Sequence, residues 1–436
     1  MAAESETPTN KMRRIAIASC TGTTIEFYDF FIYGTAAALV FGELFFPALG
    51  AAAGTAAAFA TFGVAFVARP FGSILFGHFG DRIGRKKTLI STLMLMGLST
   101  ILIGFMPTAE TIGVAAPILL VVLRIVQGLA VGGEWAGATL LTAENAPKAR
   151  RGAYAMFPQL GPAFAFMLAS GTFLITALTM SNEVFLDYGW RIPFIASFLL
   201  VAVGLYVRLN IDETPVFAGQ LRKGGASAVP FGDAVKGQPR EVVLGGVMVT
   251  MIFAFFYIAV SYLTSYGTAV LGLSRTTVLA LGILGGGVFA LMTILSALYS
   301  DRVGRRRVVI YANAVAVPWS LLLFPVLDIG TPWAFAVGLS VTLGIVGIAY
   351  GPVGAYLPEL FNTRYRYTAA GMAYNLGAVL GGAIPPLLAT TLVALYGSFS
   401  IGIYLAAMAL FSLAATFALT ETRENELDAV GVRTRA

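Results

Sequence analysis

Residues 77–87 read GHFGDRIGRKK, and residues 301–307 carry a second copy of the same turn, DRVGRRR. Each copy lies between two apolar runs, so each predicts a short connection between neighbouring helices. The two copies share their residue spacing, except that Ala297 stands where the first copy has Gly77. A repeat separated by about 220 residues predicts a chain built from two similar halves.

The composition is that of an integral membrane protein. Hydrophobic residues make up 58% of the chain and charged residues 11%, whereas a soluble domain carries about 25% charged residues. The mean hydropathy is +0.82. A helix that crosses a bilayer core needs about 20 apolar residues. Windows of this kind lie at 15–40, 51–76, 88–105, 115–142, 153–180, 192–207, 242–271, 277–298, 308–326, 333–357, 368–396 and 398–419.

We therefore predict an all-α integral membrane protein with twelve transmembrane helices in two pseudo-symmetric six-helix halves. The expected divisions are an N-terminal half at 1–209, a cytoplasmic connector at 210–241, a C-terminal half at 242–420 and a cytoplasmic tail at 421–436. The first apolar window is too long for a signal peptide, so we expect it to remain as the first span.

The basic residues predict which loops are cytoplasmic. If the N-terminus is cytoplasmic, all lysines and arginines fall on that side except Arg69, Arg124, Arg191 and Arg275. The net charge of +6 then reflects topology and contact with lipid headgroups, and nucleic acid is not expected as a partner. One cysteine and one histidine exclude an intrachain disulfide and a metal centre built from several such ligands. We expect no metal and no cofactor.

The basic turn, with its spacing Gly-x3-Asp-Arg-x-Gly-Arg-Lys/Arg-Lys/Arg, resembles the major facilitator superfamily. Three further stretches resemble the metabolite:proton symporter family within it: TIEFYDFFIYG at 24–34, Arg-x2-Gln-Gly-x3-Gly-Gly-Glu-Trp at 124–135, and Leu-Pro-Glu-Leu-Phe-x2-Arg at 357–364. Shikimate, citrate, 2-oxoglutarate and proline/betaine carriers belong to that family, and the first-half motifs are most similar to the shikimate branch. We accordingly expect a monomer in the inner membrane of a bacterial cell, with both termini cytoplasmic.

In that family the basic turn is a cytoplasmic latch that forms in one conformation and breaks in the other. The matching residues are Gly77, Asp81, Arg82, Gly84, Arg85, Asp301, Arg302, Gly304 and Arg305. From the residues alone, the glycines permit a tight connection, and the aspartate can accept from a helix N-terminus or pair with a basic neighbour. The alternative is an anchor that fixes topology without switching.

Five ionisable residues fall at membrane depth: Glu26, Asp29, Arg69, Arg124 and Glu134. Each costs roughly 3 kcal/mol or more in the bilayer, so each is a functional candidate. The helical period places Tyr33 on one face with Glu26 and Asp29, and places Gln127 on one face with Arg124 and Glu134. We expect both faces to line a cavity between the halves.

We predict an ion pair between Asp29 and Arg124 that couples protons to transport, because protonation of the carboxylate would release the arginine to a substrate. Asp29 is the first candidate for the titrating group and Glu26 the second. The alternative is a permanent pair that fixes helix packing. Glu134 is a further proton-coupling candidate, or bonds only nearby backbone or Trp135.

The predicted substrate site combines arginine with polar aromatic and amide side chains. Arg69 or Arg124 is expected to bind an acidic substrate, since a guanidinium donates two parallel hydrogen bonds to a carboxylate. Arg69 could instead extend to the membrane surface or pair with Glu26. The other candidates are Tyr33, Gln127, Gln159, Tyr257, Tyr262, Tyr374 and Asn375. Each alone is explained by packing, but as a set some should line the cavity.

These features predict proton-coupled symport of a small organic acid, such as shikimate, by alternating access. Two alternatives on the same fold are symport of a zwitterion (proline or a betaine) and proton-driven efflux. An enzyme is not favoured, because the sequence contains no nucleophile–base pair, metal constellation or phosphate-binding loop.

Overall fold

The computed structural model describes residues 8–83, 85–132, 134–209, 230–362 and 365–425; it describes their side chains except at 8–11, 77–83, 85, 86, 89, 230 and 231. The first six helices are α1 (Pro8–Ala36, continued by a π-helical turn Ala37–Phe41 and by Gly42–Phe45), α2 (Gly50–Ile83), α3 (Arg85–Phe105), α4 (Ala115–Val131 with Glu134–Asn145), α5 (Arg151–Thr179) and α6 (Ile192–Leu209).

The second six helices follow a short helix at Pro230–Gly237. They are α7 (Pro239–Tyr257, then π-helical turns Ile258–Tyr262 and Tyr266–Val270 on either side of Leu263–Ser265), α8 (Arg275–Val303), α9 (Arg305–Leu327), α10 (Pro332–Glu359), α11 (Arg366–Ala378, a π-helical turn Val379–Ala383, then Ile384–Tyr396) and α12 (Phe399–Ala418).

The predicted fold class is confirmed. Within the described ranges, 11 helices are long and apolar enough to cross a membrane. The twelfth is α3, whose described apolar part, Ile90–Phe105, is shorter. The predicted windows and the observed helices agree to within a few residues at most ends. The largest differences are at the start of α1, Pro8 instead of 15, and at the end of α2, Ile83 instead of 76. Two smaller ones change where a charge lies: α7 begins at Pro239, so Glu241 lies buried in its first turn rather than in the connector, and Arg208 lies in the last turn of α6 rather than in a loop.

Two ion pairs between the halves, both at one end of the molecule, show their pseudo-symmetry. Arg151 at the start of α5 pairs with Glu359 at the end of α10, at 2.8 Å. Arg366 at the start of α11 pairs with Glu144 near the end of α4, at 3.9 Å. Each half thus gives a glutamate from its fourth helix and an arginine from its fifth to the other half. We call this the basic end, because α5 and α9 begin there with arginines.

Close packing of α4 on α2 positions Arg69 of α2. A Cβ on Gly132 would lie 2.0 Å from the backbone oxygen of Arg69, and one on Gly128 would lie 2.2 Å from that of Ala65. Only glycine permits this approach of two backbones. As a result, Arg69 lies against Gly132, directly after the segment Ala115–Val131 of α4.

Candidate substrate and proton site

A small cavity lies between the two halves near the middle of the helices. Its lining residues are Glu26, Phe27, Arg69, Val131, Gly132, Trp135, Ala136, Gly371, Tyr374 and Asn375. They come from α1, α2 and α4 of the first half and from α11 of the second. The cavity volume is about 10 Å³, which is room for about one water molecule. The structure therefore holds this site closed, and any substrate requires the halves to separate.

The guanidinium of Arg69 is buried, 2% exposed, and lies between two aromatic rings. Its Cζ is 4.5 Å from the ring centroids of both Phe30 and Phe66. Within the described part of the chain, its Nε and Nη2 have no hydrogen-bond partner. A buried cation with free donors is costly unless an anion binds it. Arg69 therefore offers two donor atoms to a ligand carboxylate at the cavity wall.

Glu26 lies in the same cavity and is 2% exposed. Neither of its carboxyl oxygens has a hydrogen-bond partner among the described residues. The positive charges that act on it are those of Arg69 and Arg208. The cavity thus brings together an acid, an arginine, and the polar side chains of Tyr374 and Asn375.

The predicted ion pair between Asp29 and Arg124 is not formed. Instead, a chain of hydrogen bonds joins them: Arg124 Nη1 donates to Gln127 Oε1 at 2.7 Å, Gln127 Nε2 to Thr100 Oγ1 at 2.7 Å, and Thr100 Oγ1 to Asp29 Oδ2 at 3.0 Å. Glu26 and Asp29 are about 60° apart around α1. The expectation that both line the cavity is wrong, because even this small angle separates their contacts: Glu26 lines the cavity, whereas Asp29 contacts Thr100 of α3. Asp29, Arg124 and Gln127 lie inside the first half.

Tyr33 belongs to this internal cluster. Its hydroxyl bonds Thr61 Oγ1 at 2.6 Å, and its ring lies 3.9 Å from the Cζ of Arg124. Tyr257 packs on the Phe66 ring, 4.8 Å between centroids, where the charge of Arg69 acts on its hydroxyl. Tyr262 lies further from the basic end, beside Phe59 and Tyr266, and does not line the cavity.

Stacked and hydrogen-bonded side chains join the halves beside the cavity. The Trp135 and Tyr374 rings stack at 3.7 Å with 4° between their planes. Trp135 Nε1 donates to Gln159 Oε1 at 2.9 Å, and Gln159 Nε2 donates to the Tyr350 backbone oxygen at 3.1 Å. Asn375 Nδ2 donates to the Gly132 oxygen at 2.8 Å. Gln159 thus contacts a residue that lines the cavity. Separation of the halves must break the ring stack and the bonds from Gln159 to Tyr350 and from Asn375 to Gly132, which cross between the halves.

At the basic end, the second copy of the turn connects the halves. Asp301 accepts from the backbone amides of Gly152 and Ala153, both at 2.9 Å, and pairs with Arg305 at 2.7 Å. The aspartate thus binds the N-terminus of α5 and a basic neighbour at once. Gly304 joins α8 to α9 with φ +105°, a conformation that favours glycine.

Glu359 of α10 completes these contacts. Besides Arg151, it lies 3.7 Å from Arg305 Nε and accepts from Thr422 Oγ1 at 2.7 Å. Arg302 is exposed, and its backbone oxygen accepts from Arg423 at 2.6 Å. The first copy of the turn cannot be compared: the side chains of Asp81, Arg82 and Arg85 and the whole of Gly84 lie outside the described residues, as does any contact of Gly77.

The end opposite the basic end is open. A vestibule of about 730 Å³ lies between the halves there. Its walls come from the ends of α1 and α5, the start of α2, and the α7–α8 junction. At its edge, Arg275 Nη2 donates to Asn182 Oδ1 at 2.8 Å, across the two halves. The molecule is therefore closed at the basic end and at the central cavity, and open at the other end.

Two residues of the site were not foreseen from sequence. Trp135 was considered only as a partner of Glu134, yet it forms one wall of the cavity. Arg208 was assigned to a cytoplasmic loop, yet it forms a buried ion pair with Glu134. When a charged residue lies at the end of an apolar window, the sequence alone does not show whether it belongs to the loop or to the last turn of the helix.

Comparison with known proteins shows relatives along the whole chain. The sequence matches the family described as "Sugar (and other) transporter" over residues 15–229 and again over 220–432. The inner membrane metabolite transport protein YhjE of Escherichia coli K12 is 42% identical over 426 residues, 97% of each protein. The shikimate transporter of the same strain is 38% identical over 411 residues, 92% of this chain and 93% of that protein. Its proline/betaine transporter is 31% identical over 430 residues, 96% and 85%.

A solved structure shares the fold. XylE, described as an MFS (major facilitator superfamily) proton:xylose symporter and bound to 6-bromo-6-deoxy-D-glucose, aligns with a TM-score of 0.77. The alignment covers 96% of this chain and 98% of that one at 18% sequence identity. At this identity the likeness concerns the architecture of two six-helix halves, not the ligand.

Proposed function

Because this chain belongs to the major facilitator superfamily of metabolite transporters, we propose that it moves a small organic acid, such as shikimate, together with protons. The chain is a multi-pass membrane protein and a transporter rather than an enzyme. The proposal concerns the cargo, the coupling ion and the direction, which is uptake.

The observation that carries the proposal is the guanidinium of Arg69, which is buried at the cavity wall and has two donor atoms without a partner among the described residues. A carboxylate that binds there would remove the cost of that unpaired cation. The shikimate transporter, 38% identical, is consistent with such a substrate. A hydroxylated acid would also find polar side chains in Tyr374 and Asn375.

The charge balance of the centre supports the proposal of proton coupling. Among the residues that the structure describes, neither Glu26 nor Asp29 has a direct cationic partner, although both are buried and Arg69 and Arg124 are buried in the same half. When both carboxyl groups carry protons, the two arginines leave net positive charge that attracts an anion. When the protons leave, the carboxylates compete with the substrate for the arginines. Proton and anionic substrate therefore favour each other's binding. Glu26, which lines the cavity, is the more direct coupling group, and Asp29 acts through Thr100 and Gln127.

The sidedness of the proposal rests on the basic residues. If the basic end is cytoplasmic, the structure is closed to the cytoplasm and its vestibule opens outward. The contacts of Asp301, Gly304, Arg305 and Glu359 then act as the latch of the outward-facing state, and the first copy of the turn has the equivalent role. We place both termini in the cytoplasm of a bacterial cell, with the transporter working as a monomer and its basic end contacting lipid headgroups.

A zwitterionic substrate is the second candidate, and one observation favours it. Glu26 and Arg69 put opposite charges in one cavity, beside the stacked rings of Trp135 and Tyr374. A carboxylate could bind Arg69 while a quaternary ammonium contacts the aromatic faces. The proline/betaine transporter, 31% identical, is consistent with this alternative.

The test is uptake of radiolabelled shikimate by the purified protein in liposomes, with the outside more acidic than the inside. We expect accumulation above the external concentration, which a protonophore and an equal pH on both sides both abolish. Parallel experiments use labelled glycine betaine and proline, and protein-free liposomes are the control. Accumulation of betaine or proline without shikimate would select the zwitterion. Shikimate uptake no faster than in protein-free liposomes would reject the organic acid.

A further inference from the structure

Arg208 of α6 contacts one buried acid, and its charge acts on a second. It forms an ion pair with Glu134 of α4, and the exposed fractions of the two side chains are 11% and 5%. Its charge also acts on Glu26 of α1, and that of Glu26 acts on it. One cation therefore serves two carboxyl groups, of which one lies in the substrate cavity and the other on the path to the basic end.

The packing of α6 on α1 explains this position. Gly204, one turn before Arg208, contacts Ile25: a Cβ on the glycine would lie 3.2 Å from Ile25 Cδ1. The small residue lets α6 approach α1 directly beside Glu26. The arginine on the next turn can then extend its side chain from the basic end into the protein, towards both acids.

The charged and titratable groups around Glu26 show which cation can stabilise its carboxylate while Arg69 binds the substrate. Those acting on it or lining its cavity are Arg69 from α2, Arg208 from α6, Tyr257 from α7, Tyr350 from α10 and Tyr374 from α11. In the described part of the chain only the two arginines among them are cations. If Arg69 binds the substrate, an ionised Glu26 depends on Arg208.

We propose that Arg208 is a positioning residue for proton release, which exchanges its ion pair from Glu134 to Glu26 as the proton leaves. In the starting state Glu26 is protonated and ionised Glu134 pairs with Arg208. Once the basic end opens and admits water, Glu26 gives its proton through that water to Glu134. The Glu26 carboxylate pairs with Arg208, and neutral Glu134 releases its proton to water at the basic end. Two carboxylates then share Arg208 until Glu26 takes up a new proton from the open end, which restores the starting state.

This exchange avoids the main cost of moving a proton inside the protein. The three groups carry one proton, one carboxylate and one guanidinium before and after the transfer, so their net charge is zero in both states. Neither state leaves a buried charge without a partner, which is the costly arrangement. The inference rests on the proposed proton coupling and assigns its release path to α4 and α6.

A pH titration of the full-length protein by infrared difference spectroscopy, without substrate, tests the exchange. The signal is the carbonyl band of a protonated carboxyl group, assigned to Glu26 by its absence in Glu26→Gln. In Arg208→Gln we expect the band to persist to higher pH, by about one to three pH units, since the stabilising cation is lost. In Glu134→Gln we expect the opposite shift, of about one unit, since Arg208 is no longer shared. Arg208→Lys should stay near the wild type.

The matched control is Arg307→Gln, which removes an exposed arginine at the same end and should leave the midpoint unchanged. Equal midpoints in Arg208→Gln and Arg307→Gln would overturn the proposal. So would shifts of Arg208→Gln and Glu134→Gln in the same direction, or a band that survives in Glu26→Gln. If Arg208→Gln does not fold, the remaining variants test the proposal: the midpoint of Glu134→Gln should fall by about one pH unit, and that of Arg208→Lys should stay near the wild type. An unchanged midpoint in Glu134→Gln would then overturn it. The wild-type protein could fail to accumulate shikimate while the band midpoints of Arg208→Gln and Glu134→Gln still shift in opposite directions. That result would support the ion-pair exchange and reject only the proposed substrate.

Discussion

Arg69→Gln is expected to reduce shikimate uptake by about 100-fold at low substrate concentration while the protein stays as stable as the wild type. A charge-assisted hydrogen bond to a buried carboxylate contributes up to about 3 kcal/mol, which corresponds to that factor. Stability should not fall, because two nitrogens of this buried guanidinium have no partner in the described part of the chain and removal of the charge relieves a desolvation cost. The uptake rate tests the expected loss of transport, and the thermal unfolding temperature of the same preparation tests the expected stability.

Arg69→Lys distinguishes the effect of the positive charge at this position from that of the guanidinium's hydrogen-bond geometry. An ammonium ion keeps the positive charge but cannot donate two parallel bonds to one carboxylate. We expect the lysine variant to transport far less than the wild type, and the exposed Arg307→Gln control to transport normally. Wild-type uptake by Arg69→Gln would contradict a role for Arg69 in substrate binding. A fall in uptake matched by a fall in the unfolding temperature would reduce that role to packing between Phe30 and Phe66.

The second large effect is expected at the basic end, from Glu359→Gln. This change removes the partner of Arg151 and Arg305, and breaking a buried pair in this way costs about 3–5 kcal/mol. The cost falls on the state closed at the basic end, so the population should shift towards the state that is open there.

Cysteine accessibility measures this shift, after Cys20→Ser removes the single native cysteine. Ala155 is buried at the basic end with Ala143 and Ala355, and Ala269 lines the vestibule. In Glu359→Gln, maleimide labelling of Ala155→Cys should accelerate by about 100-fold, in proportion to a cost of about 3 kcal/mol. Labelling of Ala269→Cys should slow.

Glu424→Gln supplies the matched control, because its carboxylate at the same end is 80% exposed. It should leave both labelling rates unchanged. Unchanged rates in Glu359→Gln as well would show that the turn only anchors topology and has no latch function.

The fold could be predicted from sequence because its determinants are local. An apolar run of sufficient length must be a helix in the bilayer, since no other structure satisfies the backbone there. The duplicated turn gave the two halves. Its second copy also lies where a latch would be needed, with Asp301 bound to the N-terminus of α5. The distortions of α1, α7 and α11 into π-helical turns have no counterpart in the apolar pattern.

The site could be predicted only in part. Charge at membrane depth identified Glu26 and Arg69, which do line the cavity. The relay from Arg124 to Asp29 was missed because Thr100, its central residue, is uncharged and gives no signal in an apolar helix. The stack of Trp135 on Tyr374 joins distant parts of the chain, so it depends on how the halves dock. The ion pair of Arg208 with Glu134 was missed because it depends on how α6 packs against α1 and α4.

Coupled proton movement is the central claim, and the pH of a weakly buffered liposome suspension measures it directly. Unlabelled shikimate is added outside liposomes that contain the protein, and external pH is recorded beside labelled uptake in a parallel sample. We expect an immediate alkaline shift whose initial rate follows shikimate entry, and which a protonophore abolishes. Shikimate entry without any change in external pH, or with acidification, would contradict proton symport.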